Sequence, residues 1–228
     1  MSDVALPATT APAPAPARKS FRETQFEVRE EAIVDATNRL LASRGYESMS
    51  MEDIAAEVGI AKGSLYRHFE SKEALAAAVM VRLLRRTRAA LAALPTQADA
   101  RAKLEALLKW TLRERLAGGV PHLPSASQAL RDALLAHRAY MDELMELSEA
   151  IGGLIRQARA EGSLRADLRE EFVLYTFYAR SCDPTLDFLK AGGSMSDEEI
   201  VDEMVSACLD GIGASPAGAA RAAAGAAC

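Results

Sequence analysis

The sequence predicts an all-α protein, in which a short helical head is joined through one connecting helix to a larger helical body. Three observations carry this reading. Apolar residues recur at three- and four-residue spacing through most of the 228-residue chain. Helix starts of the Ser-x-x-acid type and glycine stops punctuate those runs. Two Ala-rich tails, poor in large apolar side chains, lie on either side of them.

The first twenty residues, MSDVALPATTAPAPAPARKS, alternate Ala and Pro and read as a semi-extended, disordered arm. Arg18, Lys19 and Arg22 at its end could brush a phosphate backbone, with a solvated tail accounting for the rest. Helix one runs from Phe26 through Ile33, Ala36, Leu40 and Leu41 and stops at Arg44-Gly45, a basic last turn followed by glycine. Ser50 stands three residues before Asp53 and caps MEDIAAEV, in which Ile54, Ala55 and Val58 share one face. Gly59 closes this second helix in the left-handed conformation, and Ile60 folds back on the apolar face. A third helix begins near Lys62 with Leu65 and Phe69 pointing inward. The Ser71-Lys72-Glu73 step opens a longer helix that continues toward Leu94-Pro95.

Two short helices joined at a glycine, the second rich in polar and cationic residues, form a helix-turn-helix. With Leu65 and Phe69 buried, helical geometry leaves Lys62, Ser64, Tyr66, Arg67 and His68 on the outer surface. Gly63 removes a side chain where a backbone would approach closely. Such a face suits a DNA groove, with cations and hydroxyls for phosphates and hydrogen-bonding side chains for base edges.

The stretch AIVDATNRLLASRGYESMSMEDIAAEVGIAKGSLYRHFESKEAL, from Ala32 to Leu75, closely resembles the DNA-binding domain of the TetR family of one-component bacterial transcription regulators. The likeness runs across four helices, through RGYE, DIAAEVGI, KGSLYRHF and SKEAL. It implies a three-helix DNA-binding head, a fourth connecting helix, and an all-helical C-terminal domain that dimerises and holds a small-molecule effector. It also implies that Lys62, Gly63, Ser64, Tyr66, Arg67 and His68 lie on the recognition helix or its entrance, and that Ser50 and Lys72 touch phosphate. Ala61 departs from the family, where many relatives carry serine, and so removes a helix cap. The segments are then an arm at 1–20, the helix-turn-helix head at 21–71, a connecting helix at 72–94, an effector-binding and dimerisation domain at 95–212, and a flexible tail at 213–228.

Within the body, one helix lies between Thr96 and Leu116, closed by Gly118-Gly119 and the loop PHLPSA. Ser127 to Ala160 reads as two helices with a break near Ala136 to Tyr140. A helix from Arg169 to Lys190 contains Pro184 and so bends. The last helix, Asp197 to Ile212, carries a wide stripe of Ile200, Val201, Met204, Val205, Cys208, Leu209 and Ile212. The family resemblance places the homodimer interface on the last two long helices. Trp110, Met141, Met145, Phe172, Tyr175, Tyr178 and Cys182 are the soft or amphipathic residues expected near an effector cavity, and such a lining favours an apolar or aromatic ligand.

Charge sharpens the division. From Arg18 to Arg88 there are 13 Lys/Arg against 11 Asp/Glu, and from Ala89 to Cys228 there are 14 against 20, within a net charge of −5. The chain therefore does not coat nucleic acid with its whole surface. Three cysteines without C-x-x-C spacing fit a reducing, cytoplasmic setting. No apolar run reaches the roughly 20 residues of a membrane span. His68, His122 and His137 lack metal-ligand spacing, and no nucleophile elbow or phosphate loop occurs, so neither an enzyme, a metal nor a cofactor is expected. The expected function is a homodimeric repressor on a near-palindromic double-stranded operator, released by a small effector. An activator, or a DNA-bound adaptor of the same fold without an effector, satisfies the same residues.

Overall fold

Ser20 opens the first helix by a reciprocal cap, its hydroxyl accepting from the Glu23 amide at 3.2 Å while the Glu23 carboxylate accepts from the Ser20 amide at 2.7 Å. In this computed structural model, which describes residues 20–121 and 127–212, α1 accordingly spans Phe21–Ser48. It starts before Phe26 because the cap, not burial, holds its first turns. Phe21, Phe26 and Val28 are all exposed. Most of the arm, the tail and most of the PHLPSA loop lie outside the described residues.

Gly45 interrupts α1 with φ 75° and ψ 167°, a region open essentially to glycine alone. One further turn carries the chain to α2 (Met51–Val58), where Ser50 and Asp53 form the expected reciprocal cap. Gly59 ends α2 at φ 74°, ψ 34°. The Gly59 amide donates to Ala56 O at 3.2 Å and the Ile60 amide to Ala55 O at 3.0 Å, a Schellman closure that folds Ile60 back. The third helix, α3 (Lys62–Leu65), starts without any side-chain cap at Ala61. The connecting helix α4 (Lys72–Ala92) is capped by Ser71.

The body contains α5 (Ala100–Leu116), α6 (Gln128–Ala136), α7 (Arg138–Ala160), α8 (Glu170–Ser181), α9 (Thr185–Gly192) and α10 (Asp197–Ile212). The protein is all-helical, with no strand among the described residues. Asp99 caps α5 and so sets its start at Ala100 rather than Thr96. His137 ends α6 and starts α7, its Nδ1 accepting from the Tyr140 amide at 3.2 Å. The bend expected at Pro184 is a complete break between α8 and α9. Proline disfavours helical geometry in the preceding residue, and Asp183 accepts from the Thr185 amide at 2.9 Å to begin the chain anew.

Two apolar cores result. Ile33, Leu41, Ile54, Leu65 and Leu75, all 0% exposed, centre the head. The body core joins Leu104, Leu108, Ile151, Ile155, Phe177 and the α10 stripe. All six stripe residues from Ile200 to Leu209 are buried within the chain itself, against α5, α8 and α9. One exchange crosses the division: Leu130 of α6, 1% exposed, packs into the head core. Helix α4 meets α7 through Arg85 and Arg88, which share the Glu143 carboxylate at 2.7 and 2.5 Å, with Glu146 completing the set.

Candidate nucleic-acid interface

The surface of α3 follows from how its backbone is held. Leu65, fully buried, anchors the segment in the head core. Beyond Leu65 the α-helix gives way to tighter turns, with Arg67 N donating to Ser64 O at 3.2 Å and His68 N to Leu65 O at 2.9 Å. Lys62, Gly63, Tyr66 and Arg67 stand exposed, and Ser64 is half-exposed. A Cβ added at Gly63 would meet nothing within 4 Å, so the space beside its backbone is open to an incoming group.

His68 requires a correction. In an α-helix it would share the outer face, but three-residue turns place residue i+3 directly over residue i, so His68 eclipses buried Leu65. Its side chain is 4% exposed and its ring stacks on Phe26 at 4.1 Å. Nδ1 lies 3.6 Å from Glu30 Oε1 and has no hydrogen-bond partner. Regular α-helical geometry pointed this residue outward. The tight turns turn it toward α1.

Both lysines of the surface are engaged. Lys62 pairs with Glu52 of α2, which raises the lysine pKa and lowers that of Glu52. Its ammonium also lies 5.8 Å from the Tyr66 ring centroid. Lys72 donates to Tyr46 O at 2.7 Å and sits 4.1 Å over the Tyr46 ring. Ser50, half-exposed at the start of α2, donates its hydroxyl to Asp53 Oδ2 at 2.6 Å, which holds the Asp53 carboxyl below the usual range. Phosphate contact by either lysine would exchange one oxygen partner for another.

A concavity lies elsewhere, where head and body meet. It holds about 420 Å³. Arg44, Tyr46 and Glu47 form one wall, Met80 and Leu83 of α4 another, and Arg115, Val120, Pro121 and Cys182 the rest. Of the seven residues expected near an effector cavity, Cys182 lines it. Cys182 is an exposed residue of this lining, and burial pushes its thiol pKa up. Tyr178 and Met141 are half-buried in the body, with the Tyr178 hydroxyl 2.9 Å from Ser148 Oγ. Trp110 lies under the Arg86 guanidinium, 5.9 Å from its ring centroid.

Met145, Phe172 and Tyr175 are 63, 57 and 63% exposed, so the shared cavity expected of them is corrected to an outer surface. Aromatic and methionine content cannot distinguish an inner from an outer helix face. The lining residues Arg44 and Tyr46 were missed because RGYE reads as the end of a DNA-binding helix. The signal that could have found them is Gly45, which turns that segment away from α1.

Residues 33–79 match the family model described as "Bacterial regulatory proteins, tetR family". The chain is 28% identical over 214 residues to the HTH-type transcriptional repressor KstR2 of Rhodococcus jostii, covering 91% of this chain and 98% of that protein. The solved structure of the ketosteroid transcriptional regulator KstR2 of Mycobacterium tuberculosis superposes with a TM-score of 0.59 at 20% identity, over 82% of this chain and 96% of that one. FadR of Bacillus subtilis, solved in complex with stearoyl-CoA, gives 0.61 at 16% identity, over 80 and 98%.

Proposed function

We propose that this chain, whose residues 33–79 match the TetR family model, is a homodimeric repressor that binds a near-palindromic operator and is released by a small apolar or aromatic effector. The observation that carries the reading is the α3 surface. Lys62, Gly63, Tyr66 and Arg67 are displayed to solvent on a segment whose backbone is fixed by the Gly59 closure and by buried Leu65. In this reading Arg67 and Lys62 reach base edges or phosphates, Tyr66 sets its ring against a sugar, and Ser50 and Lys72 fix register on the backbone.

One short recognition helix offers few base contacts. Two copies related by a two-fold axis read half-sites about one helical turn apart, roughly 34–36 Å. Because the α10 stripe is occupied within the chain, the dimer surface is assigned to what remains outside: Phe172 and Tyr175 on α8, Phe188 on α9, and the solvent side of α10. The effector class is supported by the relatives, one described as a ketosteroid regulator and one solved with stearoyl-CoA. An effector releases DNA by binding one arrangement of the two heads better than the other.

The test is quantitative binding of the purified protein to genomic fragments, starting with DNA upstream of its own coding region, with and without a panel of small molecules. Palindrome-dependent binding by a dimer, relieved by one compound, is the expected result. Tight binding that no compound relieves would remove the effector from the proposal, and monomeric binding would remove the two-fold geometry.

A further inference from the structure

We propose that the cavity between head and body binds an amphiphilic small molecule, apolar along its length with one anionic end, and that this molecule acts on the head by direct contact with residues 44–47. The inference rests on the reading of the chain as a DNA-binding regulator, and adds where and how that regulator is controlled.

The walls specify the class. At about 420 Å³ the hollow lies within the range of small-molecule sites. Met80, Leu83, Val120 and Pro121 supply apolar surface, and the lining includes two arginines, Arg44 and Arg115, against one acid, Glu47. Arg115 is buried and already paired with Asp187, so its position is fixed. Arg44 is the adjustable cation. It is more than half exposed, and its only ion-pair contact among the described residues is Asp53, at a long 3.6 Å. A carboxylate or sulfonate in the cavity would offer Arg44 a shorter, charge-assisted bond.

The partner that Arg44 would leave is part of the helix-turn-helix. Asp53 accepts from the Ser50 amide at 2.9 Å and from the Ser50 hydroxyl at 2.6 Å, the cap that starts α2. The next lining residue, Tyr46, is tied to the start of α4. Its hydroxyl donates to Glu73 Oε1 at 2.7 Å and its carbonyl accepts from Lys72. Residues 44–47 thus touch the cavity on one side and the first turns of both α2 and α4 on the other. Gly45, with its positive φ, separates this segment from the body of α1. The opposite wall, Arg115 and Cys182, belongs to the body. An occupant therefore contacts head and body at once, and its preference for one spacing between them biases the head's position.

Cys182 permits a test without knowing the natural molecule. Full-length protein carrying Cys228→Ser is treated with 2-carboxyethyl methanethiosulfonate, which forms a mixed disulfide with the Cys182 thiol, leaves a carboxylate in the cavity, and releases methanesulfinate and a proton. Affinity is then measured for the genomic fragment that the untreated protein selects. A single adduct at Cys182 should weaken DNA binding at least tenfold, reversibly with dithiothreitol, while Cys182→Ser protein given the same reagent keeps its affinity. In Arg44→Ala protein the adduct should change affinity less than threefold relative to its own unlabelled form. Decanoate should protect Cys182 from the reagent at a concentration at least tenfold lower than decanol does, and this difference should vanish in Arg44→Ala. Labelled protein that holds DNA as tightly as unlabelled protein overturns the control by this cavity and leaves the regulator reading intact. Equal protection by decanoate and decanol overturns the anionic end. Unlabelled protein that selects no genomic fragment overturns the regulator reading itself.

Discussion

The head and the body bury leucines alike, yet they get their geometry from different sources. In the head, local devices fix almost every turn: the Ser20, Ser50 and Ser71 caps, the Gly59 closure and the Gly45 kink all act within six residues of themselves. In the body, long helices with continuous apolar stripes find their places through distant partners, as α10 does against α5, α8 and α9. A surface that must meet a rigid external lattice such as DNA needs its backbone positioned residue by residue. A bundle whose outer faces are free to vary needs only a filled core.

The sharpest way to break this contrast is to empty each core in turn. Leu65→Ala and Leu108→Ala both remove a fully buried side chain and should each cost about 2–5 kcal/mol. Thermal unfolding should show both losses. DNA binding by the surviving folded protein should fail for Leu65→Ala, whose cavity lies under α3, and persist for Leu108→Ala.

A smaller effect separates surface from core within the head. Tyr66→Ala and Arg67→Ala should each weaken DNA binding by about 1–3 kcal/mol while changing stability by no more than about 0.5 kcal/mol. Wild-type affinity in either variant would remove that residue from the interface.

Two glycines give opposite signs. Gly45→Ala meets no steric neighbour, but the backbone conformation is closed to alanine, so chemical denaturation should show a loss of about 1–3 kcal/mol. Gly63 has ordinary dihedrals and open space, so Gly63→Ala should raise stability by about 0.5–1 kcal/mol and still weaken DNA binding, because the added methyl occupies the approach to the backbone. A stable Gly63→Ala protein with undiminished binding would place DNA elsewhere on the head.

The smallest effect is in acid. The Tyr46 hydroxyl, by donating to Glu73, holds that carboxyl below the usual glutamate range. A depressed folded pKa means stability that is present above the unfolded value, about 4.3, and is lost as pH falls through the folded one. Tyr46→Phe should therefore flatten the acid limb of a stability profile relative to wild type. An unchanged limb would show that Glu73 is held by its other contacts.

Legibility in the sequence followed the same division. The caps at Ser50 and Ser71, the Gly59 stop and the limits of α10 were readable because each is written in a few adjacent residues. The break at Pro184 was located but underestimated, since a proline's effect depends on whether neighbouring packing rewards a continued helix. His68 was misplaced because its direction depends on a change from four- to three-residue turns, which no side chain announces. Met145, Phe172 and Tyr175 were drawn toward a cavity by composition, while the hollow itself is assembled from five separated stretches of chain. Gly45 and Cys182 are its traces in the sequence.

Leu130 bears on how such proteins can exchange parts. Helix α6 follows α5 in the chain but plugs the core of the head. A gene crossover placed after α4 would deliver a head with a leucine-sized hole and a recipient with an unmatched plug. The heritable unit is therefore discontinuous, residues 20–92 together with 127–136, and a chimera carrying both pieces should fold where one carrying the first alone would not.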